Sequence, residues 1–138
     1  MKYVLIITLV ALLGLLGCSE DNPVDPVVPA YVGTYNGHID IGDTVSITIS
    51  NVGGAAYLTS YSISYHYSSG GSGGSGTYSA TDTDGIVQVS NGTFEISLTS
   101  DPEEKIMGTF SSETALGGTY KIKPTYSYIN GTFSVTKQ

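Results

Sequence analysis

The chain has 138 residues, enough for one domain, and only 12% of them are charged. Its formal net charge is −7, with five lysines, no arginine and a single cysteine. Binding nucleic acid requires cations that displace counterions from phosphates, and binding anionic lipid requires a basic cluster. Neither is present, and one cysteine excludes an internal disulfide.

Residues 1–17 begin with Lys2 and run apolar from Val4 to Gly17, broken only by Thr8. A cationic start, a short apolar core and a small residue at its end predict an export signal. The run is too short to span a bilayer, which takes about 20 apolar residues. At its end stands Leu15-Leu16-Gly17-Cys18. This stretch resembles the lipobox of bacterial lipoproteins. The resemblance implies diacylglyceryl transfer to the Cys18 thiol, cleavage before Cys18 and acylation of the new amino group. Each buried CH₂ contributes about 0.8 kcal/mol, so two or more chains make a stable anchor.

Ser19 after the cysteine resembles outer-membrane-sorted lipoproteins, and Glu20-Asp21 resembles the surface-export signal of Bacteroidota lipoproteins. The implied address is the cell envelope, lipid-anchored at the outer membrane, with surface display as a further step. The competing reading of the acidic pair is the start of a solvated tether. Residues 18–30 carry Pro23, Pro26 and Pro29. Proline fixes φ and keeps the preceding residue out of the helix, so the segment reads as an extended spacer. An edge strand seated through Val27-Val28 is the alternative.

From 31 to 138 the pattern is that of strands. Gly-Thr followed by Tyr or Phe occurs six times, at Gly33, Gly76, Gly92, Gly108, Gly118 and Gly131. Glycine turns the chain while threonine and aromatics favour strands, so most copies are expected to mark a strand start. Val45, Ile47 and Ile49 alternate with polar residues. Over 57–67 the alternation places Tyr57, Thr59, Tyr61, Ile63, Tyr65 and Tyr67 on one face, with Leu58 on the other.

Three hairpins follow from turn chemistry. Asn91-Gly92 pairs Val89 with Phe94 and Val87 with Ile96. Asn130-Gly131 pairs Tyr128 with Phe133. Asp84-Gly85 places Asp82 opposite Val87. The Gly/Ser stretch 68–76 reads as a flexible loop, and Ile106, Phe110, Tyr120 and Ile122 as core. With no helical periodicity, the prediction is an all-β antiparallel meander of about eight to ten strands. It closes as a barrel or, second, packs as a β-sandwich. The leading Gly-Thr-Tyr and the meander are loosely similar to the lipocalin-like barrels of bacterial lipoproteins.

Tyr57, Tyr61, Tyr65 and Tyr67 are the candidate ligand-binding residues. A tyrosine ring with a polar tip suits a sugar or an amphipathic molecule, and with no tryptophan in the chain the same rings could fill the core. Asp82-Thr83-Asp84-Gly85 is part of a calcium-loop pattern, but Ile86 and Val87 stand where further oxygen ligands are needed, so a turn is expected. Asp101-Pro102-Glu103-Glu104 reads as a solvated turn. His38 and His66 fit no nucleophile or metal pattern. No cofactor and no metal is expected. The expected function is non-catalytic: a barrel holding a small apolar or amphipathic ligand, or a surface module binding protein or glycan. An enzyme would need a cleft bringing His38 or His66 to a carboxylate and a hydroxyl. The oligomeric state is left open.

Overall fold

A computed structural model describes residues 29–40, 43–69 and 71–138. The segment 1–17, Cys18 and the tether to residue 28 lie outside the described residues. Nine strands are present: β1 (Gly33–Ile39), β2 (Thr44–Val52), β3 (Ala55–Ser69), β4 (Ser72–Thr81), β5 (Val87–Gln88), β6 (Thr93–Ser97), β7 (Lys105–Ser112), β8 (Ala115–Ile122) and β9 (Ile129–Lys137). All pair antiparallel in one sheet, in the order β4-β3-β2-β1-β9-β8-β7-β6, with β5 on β3. The result is an all-β meander curled strongly into a half-barrel.

Strands β1 and β9 join the two ends of the domain, with Gly37 opposite Val135. Strands β4 and β5 lie on the same side of β3: Thr81 faces Ser60 and Val87 faces Leu58. They are one interrupted strand from which residues 82–86 loop out. Asn91 and Gly92 then turn the chain into β6 with φ of 51° and 72°, the signature of a type I′ turn. Ser90 faces Thr93 across that turn, so β5 ties the end of β6 back toward β3. Strands β4 and β6 remain as the two edges.

The turn at Asn91-Gly92 is as predicted, but the hairpin stops there, because Val87 pairs with Leu58 instead of Ile96. The Asp84-Gly85 turn forms, with Asp82 O accepting from Gly85 N at 3.2 Å, but the chain runs on along β3 instead of folding back. Asn130-Gly131 is no turn at all. Both residues lie inside β9, opposite Lys121 and Tyr120. Residues 72–76, read as loop, belong to β4.

A bulge corrects the face assignment of β3. Thr48 pairs with Ser60 and Ile49 with Leu58, leaving Thr59 as the extra residue. The bulge flips the alternation. Leu58 therefore joins Tyr61 and Ile63 in the core at 0% exposure, while Tyr57 moves to the opposite face. Thr59 is buried too, and its hydroxyl meets Ser50 Oγ at 2.7 Å. The core is otherwise built from the residues the alternation marks, including Val45, Ile47, Ile49, Ile106, Tyr120 and Ile122. Fully burying side chains of this size contributes about 1.5–3 kcal/mol each.

Two of the six Gly-Thr-aromatic copies mark strand starts as expected, Gly33 opening β1 and Gly92 turning the chain into β6. The other four have a different role: Gly76, Gly108, Gly118 and Gly131 lie within strands. Each of these four faces an aromatic residue across the ladder: Gly76 with Tyr65, Gly108 with Phe94, Gly118 with Phe133 and Gly131 with Tyr120. A Cβ on Gly108 would stand 2.4 Å from the Phe94 ring, and one on Gly118 would stand 2.6 Å from Phe133. The rings fill space that a side chain would occupy, which compensates a glycine in a strand. Two copies thus interlock. Gly118-Thr119-Tyr120 runs antiparallel to Gly131-Thr132-Phe133, threonine opposite threonine and each aromatic over the other copy's glycine.

Candidate functional site

The four candidate tyrosines do not form one surface. Tyr61 is buried in the core. Tyr57, turned away by the bulge, packs on Gly85, where a Cβ would lie 2.4 Å from its ring. Tyr65 and Tyr67 remain together on the inner face, half-buried toward the far end of the β3–β4 hairpin, with ring centroids 6.4 Å apart. They cover Gly76 and Gly74 of the neighbouring strand. These lids explain why a Gly/Ser-rich segment is held extended as β4.

Tyr78, which no sequence pattern singles out as a site residue, completes this cluster. Its ring stacks on Tyr65 at 5.5 Å. Its hydroxyl donates to Glu104 Oε1 at 2.7 Å. Glu104 is only 6% exposed, contrary to the solvated turn expected at 101–104. It also accepts from Thr99 Oγ1 and from the backbone N–H of Lys123, each at 2.7 Å. Burial pushes its carboxyl pKa up, but these donors prevail and hold it below the ordinary value. Burial, then the bond to Glu104, pushes the Tyr78 phenol well above its usual range. The carboxylate is thus a structural tie between β4, the turn before β7 and the segment after β8.

Beside it, Tyr128 donates to Asp101 Oδ2 at 2.7 Å, which lowers the Asp101 pKa and pushes Tyr128 up to about 12. The ammonium groups of Lys121 and Lys123 lie 4.4 and 5.0 Å from the Tyr128 ring centre, a cation–π arrangement. Lys121 also pairs with Glu103. Tyr126 projects from the same segment, 99% exposed. A hollow of 190 Å³ lies between Tyr67, Ser68, Pro124, Thr125, Ser127 and Ile129. A wider groove of 530 Å³ lies elsewhere, lined by Asn36, His38, Thr44, Ser46 and Ser62 among others.

The histidines are separate. His38 lines that wider groove. His66 bonds through Nδ1 and its backbone N–H to Asp43, and its side chain is 74% exposed. No serine or threonine hydroxyl bonds to either imidazole among the described residues. In the Asp82 turn, Oδ1 accepts from Asp84 N at 3.0 Å. In the Asp101 turn, Oδ1 accepts from Glu103 N at 3.0 Å. Among the described residues no three His, Cys, Asp or Glu side chains gather as a metal site.

Compared with protein-family models, curated proteins and solved structures, the chain matches none.

Proposed function

We propose that this chain is a cell-envelope lipoprotein, anchored at the outer membrane by lipid on Cys18, whose β domain binds a protein or glycan by its surface without catalysis. The observation that carries the binding mode is the filled interior. Tyr61 is core, and Tyr65 and Tyr67 are lids on glycines rather than the wall of a chamber. The hollow that Tyr67 borders measures 190 Å³, below the about 300–1,000 Å³ of pockets that enclose small ligands, and the 530 Å³ groove is lined by none of the four tyrosines. The anchor rests on Leu15-Leu16-Gly17-Cys18 at the end of the apolar run. The exposed Tyr126, beside Tyr128 and its two lysines, is the leading contact candidate, because aromatic side chains with a polar tip recur at binding surfaces.

A ligand-binding barrel is the second reading, favoured by the placement of the half-buried Tyr67 at the rim of that hollow. Native mass spectrometry of the full chain, extracted from membranes in mild detergent, separates the two. The surface-module reading predicts an acylated chain with no second small molecule in stoichiometric amount. A retained apolar ligand that is lost on Tyr67→Ala would reverse the order.

A further inference from the structure

The outer edge of β4 is unpaired among the described residues, where the strand's only partner is β3. Exposed edges invite another strand, and proteins blunt them with charge, proline, bulges or brevity. Strand β4 has none of these guards. It is ten residues long, carries no charge and no proline, and pairs with β3 without a register break. The opposite edge, β6, is half as long at five residues and carries Glu95, paired to Lys105. The lids formed by Tyr65 and Tyr67 belong to β3, and the alternate residues of β4 that face away from them are small. Gly73, Ser75, Thr77 and Ser79 are all exposed.

The sequence of this edge also indicates its partner. Strand β4 contains Gly76-Thr77-Tyr78, a copy of the tripeptide that pairs with itself elsewhere in the fold. In β8–β9, Thr119 faces Thr132 between two such copies, and in β6–β7, Thr93 faces Thr109 between two more. Both pairings are antiparallel, so the same register about a two-fold axis is open to two β4 strands. Gly76 is already covered by Tyr65, so a β4–β4 pair would reuse the threonine-centred register and not the ring lid. Charge permits it. The chain is acidic overall, but an antiparallel β4 pair brings no like charges opposite one another, and Asp82 of each copy falls at opposite ends.

We infer that two copies of this chain pair edge to edge through β4, antiparallel, with Thr77 on the two-fold axis. The inference does not depend on the function proposed above. Its test uses variants of the full chain in detergent that each carry one added cysteine, at Gly73, Ser75, Thr77 or Ser79, with Thr119 on β8 as the control position. The unsubstituted chain reports any background from Cys18. Oxidation is expected to cross-link Thr77→Cys at least tenfold faster than the other variants, and to cross-link a mixture of Ser75→Cys and Ser79→Cys chains to each other. Sedimentation of the unsubstituted chain should show a dimer. Thr77→Lys, which sets two like charges opposite each other at an exposed position, should raise its dissociation constant at least tenfold while leaving the melting temperature of the monomer in place. Three results would each overturn the inference: a monomer at all concentrations, cross-linking that does not peak at position 77, or a dimer indifferent to Thr77→Lys.

Discussion

Phe133 lies over Gly118 of the neighbouring strand, and two positions along the same ladder Tyr120 lies over Gly131. This reciprocal pairing recurs in part between Phe94 and Gly108, and again where Tyr65 and Tyr67 cover Gly76 and Gly74. It lets a chain without tryptophan and rich in glycine build a packed half-barrel, since each ring fills a gap left by a missing side chain.

Alanine at these glycines should rank by what the new methyl meets. At Gly118 it would stand 2.0 Å from the Met107 carbonyl oxygen, which is backbone, and 2.6 Å from Phe133. At Gly108 it meets the Phe94 ring at 2.4 Å. Overpacking costs about 1–3 kcal/mol and occasionally more. Gly118→Ala is expected at the top of that range or above, Gly108→Ala within it, and Gly76→Ala lower, because the half-buried Tyr65 can swing aside. Adding Phe94→Leu to Gly108→Ala should recover part of the loss, while Phe133→Leu should recover little in Gly118→Ala. Urea melts of the five variants check the order.

Removing a lid should loosen the strand beneath it. Tyr65→Ala uncovers Gly76 and removes the stack on Tyr78, at a cost of about 1–3 kcal/mol, below that of a fully buried aromatic. Tyr65→Phe keeps the ring and should be close to neutral. Amide exchange across 73–79 should accelerate in the alanine variant and stay slow in the phenylalanine one. Unchanged exchange in both would remove the lid explanation of β4.

Glu104 should make the domain acid-sensitive. Its folded carboxyl pKa lies below the ordinary value because its three hydrogen bonds outweigh burial. A depressed folded pKa means that the stabilisation is present above the unfolded pKa, about 4.3, and is lost as pH falls through the folded value. Stability should therefore decline below about pH 4. Glu104→Gln should cost about 1–3 kcal/mol at neutral pH, because one of the three donors is left poorly matched. Its melting temperature should change less between pH 7 and pH 3 than that of the parent chain, which a series of thermal melts would read.

Asn91 holds φ of 51°, where a side chain with Cβ is strained and asparagine is better tolerated than most. Asn91→Gly is expected to be nearly neutral and Asn91→Ala to cost about 1–2 kcal/mol. An alanine variant as stable as the parent would mean that the β5–β6 connection is not held by that turn.

The parts of this fold legible in the sequence are those where local chemistry and long-range pairing agree. Val45, Ile47 and Ile49 alternate and do line the core, and Asn91-Gly92 turns as its residues dictate. The misreadings fall where a neighbour overrides local preference. Asn130-Gly131 stays extended because β8 pairs along its whole length and Tyr120 needs the room that Gly131 leaves. The Gly/Ser run becomes β4 because Tyr65 and Tyr67 cover it. The bulge at Thr59 had no local signal, since Tyr57 and Leu58 are both apolar and either could face inward, and with it went the idea of a four-tyrosine face. Glu104 looked solvated because its donors, Tyr78, Thr99 and the Lys123 N–H, come from separate segments. The one clue available was the repeat itself: antiparallel copies of Gly-Thr-aromatic place each ring opposite a glycine.

The most direct test of the proposed anchoring is the intact mass of the full-length gene product recovered from bacterial membranes. Lipidation predicts a chain beginning at Cys18 and carrying diacylglyceryl on the thiol, with Cys18→Ser losing both the added mass and the membrane association. A chain with a free Cys18 thiol and no acyl mass would contradict it.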